Sequence, residues 1–395
     1  MSGAATPASS ATASSATAAS SAGGRTPYAT PAELVAAAVE GRSPRAVARL
    51  ISLVEDGSPW LREISRLLVP RTGHAEIVGV TGAPGVGKST STSALVAAYR
   101  AAGRRVGVLA VDPSSPFTGG ALLGDRIRMT AHATDPDVYI RSLASRGHLG
   151  GLSWATPQAT RVLDAAGYDV VLIETVGVGQ AEVDIASLAD TTLVLLAPGM
   201  GDGIQAAKAG ILEIADVLVV NKADRPGADE TYRHLRTMVE LSRPAGRGRP
   251  GRPDVTDGAG GRGGGVTAGP GSRDSGPGGA AVPADDAGRW VPRVVRTVAA
   301  EGTGAADVVA AITAHRGWLT GTGELARRRA RRAADEIEQI ALGALRARFG
   351  DPRGSRRLDA LAAQVVAGRL DPWTAADDLL GALTGGSDGV EGLAR

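Results

Sequence analysis

Six short runs recur along the chain with helical stretches between them: EIVGVTG, RVGVLAVDP, YDVVLIETVG, TTLVLLAPG, ADVLVVNKAD and VPRVVRTVA. They are built mostly of Val, Leu and Ile, and most stop at Gly, Asp, Glu or Asn. A strand with one wet face alternates apolar and polar residues, whereas a run apolar on both faces must be covered on both. Strands separated by helices pair in parallel, because a parallel return needs a long crossover. The runs therefore predict an α/β fold with a mostly parallel sheet flanked by helices.

Other segments frame that region. Residues 1–27, rich in Ser, Ala and Thr, cannot bury enough area to offset ordering entropy and read as a disordered tail. Residues 28–70 read as a helical N-terminal region. In TPAELVAAAVEG, Thr30 is placed to cap, Pro31 sits at the first helical position, and Glu33 follows three residues after the cap. At that spacing the Thr and Glu side chains satisfy each other's free backbone N–H groups. Residues 71–320 form the main domain, interrupted at 243–290 by a Gly/Pro/Arg-rich stretch with almost no large apolar residues. It reads as a flexible insert, tolerable because loop-closure entropy grows only slowly with length. Residues 321–395 form a helical C-terminal arm. Its cluster Arg327–Arg329, Arg331 and Arg332 reads as a solvated face beside the core. The following stripe of Ile337, Ile340, Ala341, Ala344 and Leu345 is suited to dimerisation.

Composition narrows the partners. A formal net charge of +2 gives no footprint for nucleic acid. No run of about 18 apolar residues predicts a membrane span, and the N-terminus has neither the basic nor the apolar part of a secretory signal. The chain has no cysteine, so disulfides and thiolate metal sites are excluded, in keeping with a cytoplasmic protein.

The first run leads into a phosphate-binding pattern. Gly82-Ala83-Pro84-Gly85-Val86-Gly87-Lys88-Ser89, with Thr90 behind it, fits GxxxxGK[ST] between a predicted strand and a predicted helix. Glycines allow the torsions that aim successive N–H groups at phosphate oxygens, and the helix N-terminus adds positive potential. Lys88 is placed to reach the β- and γ-phosphates, and the Ser89 hydroxyl to ligate Mg²⁺. The fold is thereby narrowed to a P-loop NTPase.

A second pattern, Asn221-Lys222-Ala223-Asp224, ends another apolar run. A carboxylate there accepts both N1–H and N2–H₂ of guanine, and adenine offers no matching donors, so GTP is the expected nucleotide. Three acids are candidates for the metal and the γ-phosphate: Glu174 at the end of a run, Asp112 at the end of another, and Asp125 in GGALLGDRIRM. Val178 follows Gly177, where some GTPases carry a water-orienting glutamine. Slow intrinsic hydrolysis that depends on a partner is therefore expected.

The phrases VDPSSPFTGGALLGDRIRM, SRGHLGGLS, DVVLIETVGVGQAEVDIA and GMGDGIQAAKAGILEIADVLVVNKAD, with the P-loop, resemble the MeaB/ArgK-type P-loop GTPases. The resemblance covers roughly residues 30–395 apart from the insert. It implies a SIMIBI-class core, a homodimer formed by the C-terminal arm, and GTP hydrolysis with Mg²⁺. It also implies a chaperone role, gating cofactor loading of an adenosylcobalamin-dependent acyl-CoA mutase and protecting that enzyme. It places Lys88 and Ser89 on the phosphates and metal, and Asp112, Asp125 and Glu174 on the metal and switch positions. Asp224 falls on the guanine. The last guanine-loop position, Ser-Ala in the family, falls on Val298-Ala299-Ala300, where the Ala299 N–H can meet guanine O6. The insert is expected near this base-binding side. Two other classes remain: a kinase or ATPase of a transport system, which the guanine-reading pattern opposes, and a SIMIBI metallochaperone, for which no histidine-rich tract or CxxC exists.

Of 43 cationic Lys and Arg side chains only Lys88, Lys208 and Lys222 are lysines. Two lie in nucleotide motifs, where a compact ammonium does what a planar guanidinium cannot. Lys208, in GMGDGIQAAKAG, lies in the stretch that the resemblance marks as a mobile, mutase-responsive switch. There it is a candidate to pair with Asp202 or to approach the catalytic centre when the partner docks. Lys208→Ala is expected to leave GTP binding intact and reduce partner-stimulated hydrolysis. Unchanged stimulation in a phosphate-release assay would remove Lys208 from the mechanism.

Overall fold

The computed structural model describes residues 28–112, 131–132, 134–144, 155–175, 181–199, 211–242, 288–349 and 356–384. The expected tail, most of the insert, Asp125, Asp202 and Lys208 lie outside these residues.

The strands are β1 (Glu76–Gly82), β2 (Val106–Asp112), β3 (Val138–Ala144), β4 (Val170–Thr175), β5 (Thr191–Leu196), β6 (Val217–Val220) and β7 (Arg293–Arg296). They form a seven-stranded sheet in the order β3-β2-β4-β1-β5-β6-β7, with every neighbouring pair parallel. Six of them are the apolar runs. The seventh, β3, was not evident from the sequence because Tyr139, Arg141 and Ser142 interrupt its apolar character. It lies at the sheet edge, where Leu143 is buried and Arg141 reaches out to Glu55 (2.5 Å) and Ser52 (3.0 Å).

Helices cover both faces. α1 (Pro31–Val39), α2 (Pro44–Glu55), α3 (Leu61–Leu68), α5 (Ala155–Ala165) and α6 (Ala181–Leu188) share one hydrophobic cluster with Leu109, Val111, Val171 and Ile173. The N-terminal helices are thus a layer of the main domain. α4 (Lys88–Ala101) and α9 (Ala305–Gly321) cover the other face through Leu95, Val96, Tyr99, Val308 and Ile312. After the short α7 (Ile211–Ile214), α8 (Ala228–Leu241) packs Leu235 and Val239 against β5 and β6. The chain ends in α10 (Glu324–Phe349), α11 (Arg356–Val366) and α12 (Pro372–Thr384). Among the described residues no helix is long and apolar enough to cross a membrane.

At the first helix, Thr30 Oγ1 accepts the Glu33 N–H as expected, but the Glu33 carboxylate receives the N–H of Ala29, one residue before the cap. The described residues that flank the insert lie at another edge of the sheet than expected. Trp290 is buried and donates its indole N–H to the carbonyl of Asp216, at the amino end of β6. In a parallel sheet the helix after β6 must run back to the amino edge before β7 can start. The insert leaves after α8 and returns by Gly288, so it is rooted opposite the base-binding side.

The arginines of α10 divide: Arg327 and Arg331 are exposed, as a solvated face requires, whereas Arg328, Arg329 and Arg332 turn to the body. Arg328 grips both carboxylate oxygens of Asp216 (2.9 and 3.0 Å) and the carbonyl of Asp190. Arg329 and Arg332 bind the Asp190 carboxylate at 2.8 and 2.7 Å, and Arg329 also donates to the carbonyls of Gly73 and Ala75. Positions 328, 332 and 336 repeat every four residues on one side of a helix, with 329 beside them. Glu336 completes the row by pairing with Arg161 of α5. Burial alone would raise both carboxyls. For Asp190 the Arg329 and Arg332 guanidiniums outweigh it, and for Asp216 His315 and Arg328 do, so each is held below the usual carboxylate range.

A depressed carboxyl pKa contributes stability above the unfolded value, about 3.9 for Asp, and loses it as pH falls through the folded value. The contribution of this network should therefore be complete at neutral pH and drain only in acid, below about pH 4. Asp190→Asn should lower stability at pH 7 by roughly 3–5 kcal/mol, the cost of breaking a buried pair, and flatten the acid loss. Denaturant melts from pH 3 to 7 test this; equal pH slopes for both proteins would refute it.

Candidate active site

β1 ends at Gly82 and α4 begins at Lys88, so residues 83–87 join a strand directly to a helix N-terminus. Gly82, Gly85 and Gly87 have φ of 143°, 80° and 95°. A β-carbon on Gly82 would strike the Leu195 carbonyl oxygen, and one on Gly87 would strike the Asn221 amide. Torsion and space both reserve these two positions for glycine. Pro84 and Gly85 stand at the exposed tip with Ala83 half-buried beside them, while Val86 turns inward and is buried.

Lys88 and Ser89 lie in the first turn of α4, and Thr90 beside them is exposed. The buried Lys88 ammonium arches over the loop and donates to the carbonyls of Gly82 (2.7 Å) and Ala83 (3.2 Å). Ser89 Oγ donates to Glu174 Oε1 at 2.6 Å. Glu174 is buried near the end of β4, between Val80 of β1 and Ala110 of β2. Next to it the Thr175 hydroxyl donates to that of Thr81. Asp112 closes β2 on the same edge, with its backbone alone among the described residues. A serine hydroxyl beside a carboxylate is a pair of hard oxygen donors and suits Mg²⁺. Among the described residues no group of three His, Cys, Asp or Glu is placed to hold a metal.

The second half of the site follows β6. Asn221 is buried and tied to three partners. Its Nδ2 donates to the Val86 carbonyl (2.8 Å), and its Oδ1 accepts from the Thr297 hydroxyl and the Ala299 N–H, both at 3.1 Å. One side chain thereby joins the phosphate loop to the segment after β7. The Ala299 N–H, expected to meet guanine O6, donates to Asn221 Oδ1. Val298 N–H donates to Thr303 O and closes a tight turn, leaving Ala300 exposed. Lys222 has φ of 56°, a left-handed torsion rare outside glycine, and its Nζ donates to the Gly85 carbonyl at 2.6 Å. Asp224 is exposed two residues later, after Ala223 N–H has bonded to Thr297 O.

The structure thus gathers the P-loop, Glu174, Asn221 and Lys222 on the carboxyl edge of the sheet, with Asp224 on the adjoining turn. Thr297 was missed by motif reasoning, although a hydroxyl residue closing the last apolar run was its visible trace.

Over residues 47–351 the chain matches the family described as "Methylmalonyl Co-A mutase-associated GTPase MeaB". A putative GTPase of Pyrococcus abyssi is 42% identical over 347 residues, covering 88% of this chain and 95% of that protein. A Caenorhabditis elegans protein named methylmalonic aciduria type A homolog, mitochondrial, is 40% identical over 197 residues, which is 46% of this chain and 49% of that one. A crystal structure described as a LAO/AO transport system kinase aligns with a TM-score of 0.59 at 25% identity, covering 90% of this chain and 98% of that one.

Asn221→Ala would leave the Val86 carbonyl and the Ala299 N–H without their partner, at roughly 1–3 kcal/mol for each buried group. The melting temperature should fall, and affinity for a fluorescent GDP analogue should drop by at least about tenfold, or ~1.4 kcal/mol. Full retention of affinity in a titration would show that the three-way tie does not shape the nucleotide site.

Proposed function

This chain belongs to the MeaB family of P-loop GTPases, and from that membership we propose that its GTP cycle serves an adenosylcobalamin-dependent acyl-CoA mutase, gating cofactor loading and protecting the enzyme. The observation that carries the nucleotide half is the single cluster in which Asn221 ties the phosphate loop to the segment after β7 while Ser89 meets Glu174. The mutase half rests on the family and on the name carried by the C. elegans relative.

In this reading the P-loop amides and Lys88 cradle the phosphates, and Asp224 reads the guanine N1–H and N2–H₂. Asn221 holds the base-side and phosphate-side loops in register. Ser89 and Glu174, with Asp112 and Asp125, would hold Mg²⁺. A bound Mg²⁺ supplies charge neutralisation at the β- and γ-phosphates. Glu174 sits on a strand that leads straight into the segment after Thr175, so its carboxylate is positioned to sense the γ-phosphate side. With Val178 in place of a water-orienting glutamine, hydrolysis is slow until the partner completes the site, with Lys208 as the coupling residue.

A second copy of the chain is the partner for the arm. Ile337, Ile340 and Leu345 are 68%, 54% and 49% exposed on α10, neighbouring apolar side chains of the kind that mark an interaction surface.

Immobilised protein should retain the mutase in a nucleotide-dependent way when loaded with GDP or with a non-hydrolysable GTP analogue, and the mutase should accelerate phosphate release. Equal, negligible capture in both states would reject the chaperone role while leaving the GTPase intact.

A further inference from the structure

β1 and β6 carry nucleotide motifs at their carboxyl ends, the P-loop and Asn221 to Asp224, and β5 lies between them. The amino ends of these same strands are gripped by one helix. Arg329 of α10 holds the carbonyls of Gly73 and Ala75 ahead of β1, while Asp164 of α5 takes the N–H groups of Gly73, His74 and Ala75. Asp190, just before β5, receives Arg329 and Arg332 and also the Ile77 N–H of β1. Asp216, just before β6, receives Arg328 and also the Thr192 N–H of β5.

We propose that Arg328, Arg329 and Arg332 are positioning residues of the GTPase, linking the direction of α10 to the nucleotide loops through the feet of β1, β5 and β6. Each carboxylate is shared between a guanidinium of α10 and an amide of the neighbouring strand. The helix therefore cannot tilt without changing how adjacent strands meet. β6 is four residues long, about 13 Å, so its anchored foot and the base-reading turn are ends of one short rigid element. α10 is 26 residues long in all, about 39 Å, and the part beyond its anchored root turns a small tilt there into a large displacement at the tip.

The chemistry of the grip favours this over simple adhesion. Apolar residues of similar volume hold a helix to a sheet at least as strongly as buried ion pairs, whose desolvation cost offsets much of their attraction. Forked guanidinium–carboxylate bonds add fixed direction. Other groups complete the foot of β6: His315 Nε2 lies 3.2 Å from Asp216 Oδ1, its Nδ1 faces the Thr191 hydroxyl, and its ring stacks on Trp318. The inference rests on membership of the GTPase family and adds a mode of regulation to it.

The test uses the full chain and four variants. Arg328→Met and Arg332→Met break the grip. Arg328→Lys keeps the charge without the fork. Arg327→Met, on the same helix but 66% exposed and paired with Glu324, is the control. Release of a fluorescent GDP analogue should accelerate by about tenfold in the two grip variants, in the range typical of coupled sites, and less in Arg328→Lys. Arg327→Met should match the native rate. In the native protein, amide exchange around residues 190–192 and 216–220 should differ between GDP and a non-hydrolysable GTP analogue, and Arg328→Met should erase that difference. Identical native exchange in both nucleotide states would overturn the proposal, as would a lower melting temperature with unchanged GDP release. Failure of the native protein to bind the analogue would instead count against the GTPase reading itself.

Discussion

Parallel pairing of β1 with β4 and β5 is the constraint from which the rest of the molecule follows. Parallel neighbours cannot be joined by a tight turn, so each connection crosses a face of the sheet and returns to the same starting edge. All carboxyl ends then gather on one edge and all amino ends on the other. With β4 and β5 flanking β1, the chain reverses its direction of travel at the centre, and the crevice beside Gly82 opens there, where ligands of such sheets bind.

The two edges are chemically unlike. On the carboxyl edge the groups are backbone amides, hydroxyls, the Lys88 and Lys222 ammoniums and one buried acid, Glu174, set close to Ser89. Asn221 is the common partner of two loops there. On the amino edge, forked arginine–carboxylate pairs and three amides converging on Asp164 fix the strand ends. Directional pairs of this kind hold an orientation more than they add net stability.

Much of this was legible in the residues. Runs apolar on both faces announced the covered sheet, and the glycine spacing announced the loop, because both are local consequences of chain geometry. Lys222 and Asn221 were found as a motif, although the left-handed torsion of Lys222 and the three-way bonding of Asn221 were not. What escaped depended on partners distant in sequence. β3 hid because an edge strand can carry Arg141 once α2 supplies Glu55. Arg328, Arg329 and Arg332 looked like part of a wet face because Asp190 and Asp216, more than a hundred positions away, carry no local mark of burial. The bond from the Ala299 N–H to Asn221 is likewise visible only in space.

The rooting of the insert at the amino edge has a consequence for how such a chain can lengthen. Ser242 and Gly288 flank a gap in the sequence of elements at the edge where no nucleotide group resides, and Trp318 pins its return by donating to the Gly288 carbonyl. Extra residues admitted there start and end away from the described phosphate and base loops. The fold thus contains a port at which sequence can be added without rewriting the chemistry, and a domain grafted into it would hang beside the root of the arm.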